Sequence, residues 1–149
     1  MLKTYNDNFK DTVKEKLQRQ FYMHLLGFDL ETVEIGQVSG QLVLEEKHKQ
    51  HKGFAHGGVI ATLADIVMGF AVVTLVPANQ HVVTADLKIS YLRPGVGEAI
   101  LAKGWVLKQG RKLNFCEAEI FSIDGLGHKK LIAKASATMA VLAPDATHS

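Results

Sequence analysis

One long apolar segment, Val59–Val76, constrains this chain more than any other feature, because it contains only one charged residue, Asp65. The segment is about as long as the shortest membrane-spanning helices, which need ~17–25 residues. A carboxylate placed in hydrocarbon costs several kcal/mol, so a membrane span is disfavoured. The segment predicts instead a helix that is buried on all sides in the core of a globular protein.

The second half of the chain predicts a series of antiparallel strands. Within residues 82–91, apolar and polar side chains alternate from Val83 to Tyr91, which is the period-two pattern of a strand. Three further strands are predicted after glycine-containing turns, at residues 98–109, 112–123 and 131–141. The turn before the last of them, Asp124-Gly125-Leu126-Gly127, is typical of a hairpin.

The first third of the chain has weaker patterns. Residues 8–24 predict one amphipathic helix, because their apolar side chains recur at helical spacing. Residues 28–45 predict strand structure that is broken near Gly36 and Gly40. The polar segment 46–55, which leads into the apolar helix, predicts a loop.

Together these elements predict a single α+β domain over residues 1–149, with a disordered tail at about residues 143–149. A long antiparallel sheet would wrap around the central apolar helix and bury one face on it. The edge strands of that sheet would remain unpaired. Pairing with a second copy of the chain would cover them, so a homo-oligomer is expected.

Composition excludes several classes of protein. The formal net charge is only +2 and the sequence has no arginine-rich block, which argues against a nucleic-acid partner. The single cysteine cannot form an intrachain disulfide. The first twenty residues are polar and lack the apolar core of a secretory signal, so a cytoplasmic location is expected.

The residues His56-Gly57-Gly58 stand directly before the apolar helix. Glycine is a poor helix former, so two glycines in a first turn indicate a place where another molecule approaches the backbone. The first N–H groups of a helix have no internal acceptor and lie at its positive end. A ligand carbonyl docked there would be polarised, as in an oxyanion hole.

Asp65 follows Gly57 by eight residues, or about two helical turns, and therefore lies on roughly the same side of the helix. Its neighbours in sequence are apolar, and an unpaired carboxylate among them would be costly. Two interpretations are open from position alone. Asp65 is either a functional carboxylate or a structural one that caps a loop or pairs with a lysine.

Three segments of the chain resemble the PaaI-type acyl-CoA thioesterases of the hotdog-fold superfamily: AHGGVIATLADIVMGFA, VVTADLKISYLRPG and KQGRKLNFCEAEIF. The resemblance covers roughly residues 40–141, most of the chain. It implies a hotdog fold, and hydrolysis of an acyl-CoA substrate to a free acid and CoA. It also implies a homodimer or homotetramer that needs no metal or redox cofactor.

The resemblance also implies roles for four residues. The Gly57 N–H would polarise the thioester carbonyl, and Asp65 of the partner subunit would act as general base or nucleophile. Gln50 stands where the family often has Asn, six residues before the histidine, and could hold the carbonyl or the water. Thr84 stands where some members have a hydroxyl, and it could orient the attacking water.

Five further residues are expected to support or bind the substrate. His56 would organise the loop before the helix, next to Gly58. Arg93, Arg111 and Lys112 could contact the phosphates of CoA, since cationic side chains and guanidinium groups in particular suit phosphate. Solvated turn residues are the alternative for these three cations.

Two other groups of residues are not expected to carry chemistry. His48, His51 and His56 have the spacing H-x2-H-x4-H, but no Cys or carboxylate joins them, so a metal site is not expected. Cys116 has no neighbour that would activate a thiolate, and a small core residue is expected there.

Three other functions are open on the sequence. A hotdog dehydratase or hydratase would use a histidine as base, in which case His56 and not Asp65 would be essential. A module that binds acyl-CoA without turnover would keep its affinity when Asp65 is replaced. An interaction protein would use the N-terminal helix for docking.

Overall fold

The structure is a computed structural model that describes residues 1–144. Its helices and strands follow in the order α1 (Phe9–Gln18), α2 (Phe21–Leu26), β1 (Asp29–Glu34), β2 (Gln37–Val43), α3 (Gly57–Val73), β3 (His81–Tyr91), β4 (Ala99–Lys108), β5 (Leu113–Ile123) and β6 (Lys129–Leu142). A short 3-10 turn, Glu46–His48, lies in the loop before α3. Five of the seven residues of the tail predicted to be disordered, 145–149, lie outside the described residues.

The six strands form one antiparallel sheet in the order β1-β2-β4-β5-β6-β3. The sheet curves around α3, which packs on β2, β3, β4, β5 and β6. This arrangement confirms the predicted α+β architecture of a long sheet around one central helix. Within residues 1–144, no helix has both the length and the apolar character that crossing a membrane requires.

The contact between α3 and the sheet is closest at Gly104 on β4. A Cβ atom placed at Gly104 would lie 2.6 Å from the carbonyl carbon of Val67 and 2.8 Å from the backbone nitrogen of Met68. Backbone atoms of a buried helix cannot move aside cheaply, because the interior is densely packed. The fold therefore requires glycine at this position.

Substitution of Gly104 by Ala is expected to lower the free energy of unfolding by about 1–3 kcal/mol, because it overpacks the contact between α3 and β4. Urea denaturation followed by far-UV circular dichroism measures the loss. Gly69→Ala on α3 is the matched control, since a Cβ there has no atom within 4 Å. That variant should gain about 0.5–1 kcal/mol from helix propensity alone. Equal unfolding midpoints for Gly104→Ala and the wild type would contradict this packing.

The helix α3 is not buried on all sides, so this part of the prediction is wrong. Most of its residues are buried, but Ala61, Thr62, Asp65, Ile66 and Gly69 are partly exposed. Their spacing of three and four residues places them on one face of the helix. This face cannot be recognised from the sequence, because Ala61 and Ile66 are apolar and Gly69 has no side chain.

The first third of the chain differs from its predicted elements in two places. Residues 8–24 form α1 and α2 with a break at Arg19-Gln20, and not one helix. The predicted break near Gly36 is present, at a positive φ of 73°. Gly40 lies inside β2 and not at a break. Glycine is present there because the ring of Phe28 occupies the space of a side chain, 2.5 Å from an added Cβ.

The strand β3 lies at one edge of the sheet and contains a bulge. Thr84 pairs with Met139 on β6, and Asp86 pairs with the next residue of that strand, Thr138. Ala85 is therefore an extra residue in β3 that has no pairing partner on β6. An extra residue of this kind shifts which side chains face each side of a strand.

The bulge changes which residues of β3 contact α3. Val82 packs on the core before the bulge, and Ile89 packs on it afterwards, although an unbroken alternation would put them on opposite faces. Thr84 and Tyr91 consequently both hydrogen-bond to residues of α3. The sequence predicted one uninterrupted alternation, with these two side chains on opposite faces.

Candidate active site

The N-terminus of α3 is capped by the side chain of His56. The Nδ1 atom of His56 accepts a hydrogen bond of 2.9 Å from the Gly58 N–H, so Nδ1 carries no proton and the neutral ring holds its proton on Nε2. The His56 carbonyl accepts bonds from the N–H groups of Val59 and Ile60. His56 therefore caps the first turn of the helix.

The Gly57 N–H is the donor of this first turn that stays free. No atom of residues 1–144 accepts a hydrogen bond from it. It lies at the positive end of α3, where a carbonyl oxygen or an anion is stabilised. The geometry at Gly57 therefore suits a polarised carbonyl.

Tyr91 fixes this turn to the end of β3. Its hydroxyl donates a hydrogen bond of 2.7 Å to the Gly57 carbonyl. A Cβ at Gly57 would lie 3.4 Å from the Tyr91 ring, so the fold itself does not require glycine there. Sequence reasoning missed this contact and treated Tyr91 only as a strand residue; its position at the end of an alternating run next to Arg93-Pro94-Gly95 was the available signal.

A cleft of about 380 Å³, called here the Gly57 cleft, opens beside this turn; its lining includes Gln50, Phe54, Gly57, Ile60, Tyr91 and Arg93. The Gln50 Oε1 atom accepts a hydrogen bond from the Lys52 N–H within the same loop. Its Nε2 atom has no acceptor among residues 1–144 and can donate to a ligand. The Arg93 guanidinium donates to the Leu131 carbonyl at 2.8 Å.

Asp65 and Thr84 form a second site, on the partly exposed face of α3. The Thr84 hydroxyl donates a hydrogen bond of 2.5 Å to the Asp65 Oδ1 atom. A bond to a charged acceptor is short and orients the carboxylate. The Asp65 Oδ2 atom has no donor among residues 1–144, so it is free to accept a proton from water.

These two side chains line a cleft of about 510 Å³, called here the Asp65 cleft. It extends along α3 past Ile66, Gly69, Phe70 and Val73, and the end of α1 forms its other wall. The α3 side of this lining is apolar past Asp65, whereas Lys16, Arg19, Gln20 and His81 line the facing wall. The cleft therefore offers a carboxylate at one place and space for an apolar group along the helix.

The Gly57 N–H and the Asp65 carboxylate do not share a cleft within one chain. They are eight residues apart on one helix, which is a rise of about 12 Å. A general base must lie within hydrogen-bond reach of the proton it takes, directly or through one water. One copy of the chain alone therefore cannot apply both groups to the same carbonyl.

Arg111 and Lys112 lie in the turn between β4 and β5, outside both clefts. Both side chains are exposed. Arg111 lines a separate cleft with Lys3 and Tyr5 of the N-terminal segment. The Lys112 carbonyl accepts a hydrogen bond of 2.8 Å from the Val141 N–H, which holds the turn on β6. Of the three predicted phosphate-binding cations, only Arg93 lies beside the Gly57 N–H in the same chain.

His48 is fully buried and has a structural role that sequence reasoning missed. Its Nδ1 atom accepts a hydrogen bond from the Glu45 N–H at 2.9 Å, and its Nε2 atom donates to the Leu26 carbonyl at 2.7 Å. Both ring nitrogens are thus used by the backbone. Within the described part of the chain, no cluster of His, Cys, Asp or Glu could hold a metal ion.

Cys116 is buried in the core, on the face of β5 that packs on α3. Burial raises the pKa of the Cys116 thiol to about 12, because a thiolate is poorly solvated there. A thiol of this kind is not a nucleophile at neutral pH.

Comparison with known proteins agrees with this fold. The E. coli PaaI protein superposes with a TM-score of 0.79 at 18% identity, over 91% of this chain and 94% of that one. A thioesterase family protein from Silicibacter pomeroyi superposes with a TM-score of 0.88 at 28% identity, over 91% of this chain and 98% of that one. The sheet around α3 is therefore the hotdog fold, as predicted.

Residues 52–127 match the family model of the thioesterase superfamily. Human acyl-coenzyme A thioesterase 13 is 29% identical over 115 residues, which cover 76% of this chain and 81% of that protein. The chain belongs to the thioesterase superfamily. Thioester hydrolysis is the general activity that this membership supports.

Proposed function

We propose that this protein hydrolyses acyl-CoA thioesters to a free acid and CoA, at sites that two copies of the chain build together. The observation that carries the proposal is the separation of the free Gly57 N–H from the Asp65 carboxylate, which lie in different clefts. Each cleft holds half of what thioester hydrolysis needs. A second copy supplies the other half.

The edge strand β3 provides the surface for the second copy. The strand exposes the side chains of Val83, Leu87 and Tyr91, and the adjoining Leu92 is exposed as well. An unpaired strand with exposed apolar side chains is a template for another strand. Antiparallel pairing of two β3 strands covers both edges and joins the two sheets.

This pairing also brings the two halves of the site together. Along β3, Thr84 lies beside Asp65, and Tyr91, at the end of the strand, lies beside Gly57. When two such strands pair antiparallel, the Thr84 end of one copy lies toward the Tyr91 end of the other. A two-fold axis therefore generates two equivalent sites, each with Gly57 from one copy and Asp65 from the other. Two dimers can pair further into a tetramer.

In the proposed mechanism, the Gly57 N–H donates to the thioester carbonyl oxygen and stabilises the oxyanion that forms on attack. One such donor contributes about 2.7–4 kcal/mol to transition-state stability. Gln50 adds a second donor through its free Nε2 atom. The backbone donor needs no reorganisation, because the His56 cap already fixes the turn.

Asp65 of the second copy takes a proton from water through its free Oδ2 atom while the water oxygen attacks the carbonyl carbon. The carbon–sulfur bond then breaks. Asp65 returns the proton to the departing sulfur, so CoA leaves as the thiol. Thr84 holds the carboxylate through its own proton, and its oxygen can accept a hydrogen bond from the same water. Direct attack by the Asp65 carboxylate on the carbonyl is the other route open to these atoms.

The CoA moiety carries phosphates, and the cations are arranged to meet them from both copies. Arg93 lies at the Gly57 cleft. Arg111 and Lys112 lie near the start of β3, because Lys112 contacts Val141, whose partner across the sheet is Val82. Antiparallel pairing of β3 places this turn of one copy toward the Gly57 end of the other.

Release of free CoA from acetyl-, hexanoyl-, dodecanoyl- and benzoyl-CoA, followed with a thiol reagent, tests the proposal. The wild-type protein is expected to turn over at least one of these thioesters. If it binds acyl-CoA and releases no CoA from any of them, the protein is a binding module and the proposed reaction is wrong. Hydration of an enoyl-CoA that depends on His56 and not on Asp65 would favour a hydratase.

A further inference from the structure

The Asp65 cleft continues along α3 well beyond the carboxylate. From Asp65 to Val73 the helix rises by about 12 Å, and Ile66, Gly69 and Phe70 line the cleft between them. Past Asp65, the α3 side of the cleft has no charged or polar side chain. Lys16, Arg19, Gln20 and His81 line the opposite wall, so the cleft is a slot with one apolar wall, along which an extended apolar group can lie from the carboxylate onward.

Gly69 lies one turn after Asp65, on the same partly exposed face of α3. A glycine in the middle of a helix disfavours folding relative to alanine. Within residues 1–144 no packing contact or backbone conformation requires glycine here, since a Cβ at Gly69 would meet no atom within 4 Å and its φ is not positive. Gly104 differs in this respect, because the backbone of α3 fills the space beside it.

We infer that Gly69 determines which acyl groups the enzyme accepts, by leaving the slot open one turn past the catalytic carboxylate. The inference rests on the proposed acyl-CoA thioesterase activity and specifies its substrate class: thioesters whose apolar acyl group extends past Asp65 along α3. Any side chain at position 69 projects into the slot at that point. Short acyl groups end before it, whereas longer ones must pass it.

The test compares kcat/KM of wild type, Gly69→Ala and Gly69→Leu for acetyl-, hexanoyl-, dodecanoyl- and benzoyl-CoA. In a hydrophobic pocket, one methylene changes kcat/KM by about 10- to 200-fold. The ratio of dodecanoyl- to acetyl-CoA activity should therefore fall by about 100-fold or more in Gly69→Leu. The fall should be smaller in Gly69→Ala, while acetyl-CoA turnover stays close to the wild-type rate in both.

Two controls separate a blocked slot from a damaged protein. The melting temperature should rise in Gly69→Ala, and the molecular mass in solution should be unchanged in both variants. Ala78→Leu adds a similar side chain at an exposed position outside the cleft and should leave the chain-length preference unchanged.

Each other result has a distinct meaning. An unchanged acyl preference in Gly69→Leu overturns the inference and leaves the thioesterase proposal intact, as does a wild type that accepts only acetyl-CoA. An equal loss of kcat/KM at every acyl length, together with dissociation of the oligomer, would show that a second copy of the chain packs against Gly69. The acyl group would then not lie there, and the inference would be overturned. Absence of CoA release by the wild type from all four substrates overturns the proposed function itself, and the inference with it.

Discussion

Asp65→Asn is expected to lower kcat/KM for acyl-CoA hydrolysis by about 10²–10⁴-fold, while the fold and the affinity for substrate are retained. The amide keeps the shape of the carboxylate, and its oxygen can still accept the hydrogen bond from Thr84. It cannot take a proton from water or attack the carbonyl as a charged nucleophile. Free-CoA release at saturating and subsaturating substrate separates this loss in kcat from a change in KM.

Asp86→Asn is the matched control for this change. Asp86 is an exposed carboxylate on the same strand as Thr84, and its Oδ1 atom accepts a hydrogen bond of 3.2 Å from the Thr138 N–H. An amide oxygen can replace that acceptor, so turnover close to wild type is expected. Wild-type turnover by Asp65→Asn would instead show that Asp65 has only a structural role.

Gly57→Pro is expected to lower kcat by about 10²–10³-fold, because it removes the one free N–H of the first turn. Proline is well tolerated at this position for two reasons. Gly57 is the first residue of α3, where an N–H has no partner inside the helix. The preceding residue, His56, already has the extended φ and ψ of −62° and 137° that a following proline requires.

Far-UV circular dichroism and the melting temperature check that Gly57→Pro is folded. Ala61 lies one turn further along α3, and Ala61→Ser is the control for a mild change on the same partly exposed face. Full activity of a folded Gly57→Pro variant would contradict the assignment of this N–H to the oxyanion. Loss of activity only through a higher KM would assign it to ground-state binding.

Much of the fold is predictable from the sequence because antiparallel strands leave a local pattern. The strand predicted at residues 82–91 is β3, His81–Tyr91, and the predicted hairpin at Asp124–Gly127 joins β5 to β6. Alternation of side chains is a property of neighbouring residues, so a single sequence reveals it. The apolar run at Val59–Val76 likewise predicts α3 because one helix fills the centre of the sheet.

The features that position the site depend on distant parts of the chain. Ala85 looks like one more apolar residue in an alternating strand, and only the register against β6 shows that it is the bulge. The partial exposure of Asp65 is hidden in the same way, because its neighbours on that face are Ile66 and Gly69. Sequence periodicity reports which residues are apolar and not which of them another element covers.

The positions of Arg111 and Lys112 show a different limit. The resemblance to PaaI-type proteins places them near CoA, yet both lie outside the two clefts of a single chain. A site shared between copies has no signature in one sequence. The separation of Gly57 from Asp65 along α3 becomes apparent only once the clefts are known.

In the proposed dimer each site combines Gly57 of one copy with Asp65 of the other, and mixing the two variants tests this sharing directly. Gly57→Pro and Asp65→Asn are unfolded together in equal amounts and refolded, and CoA release is compared with each variant alone. Random pairing makes half of the dimers mixed, and each mixed dimer has one intact site of two, so activity should rise to about a quarter of wild type. Activity that stays at the level of the separate variants would show that each copy works alone, and would contradict the shared site.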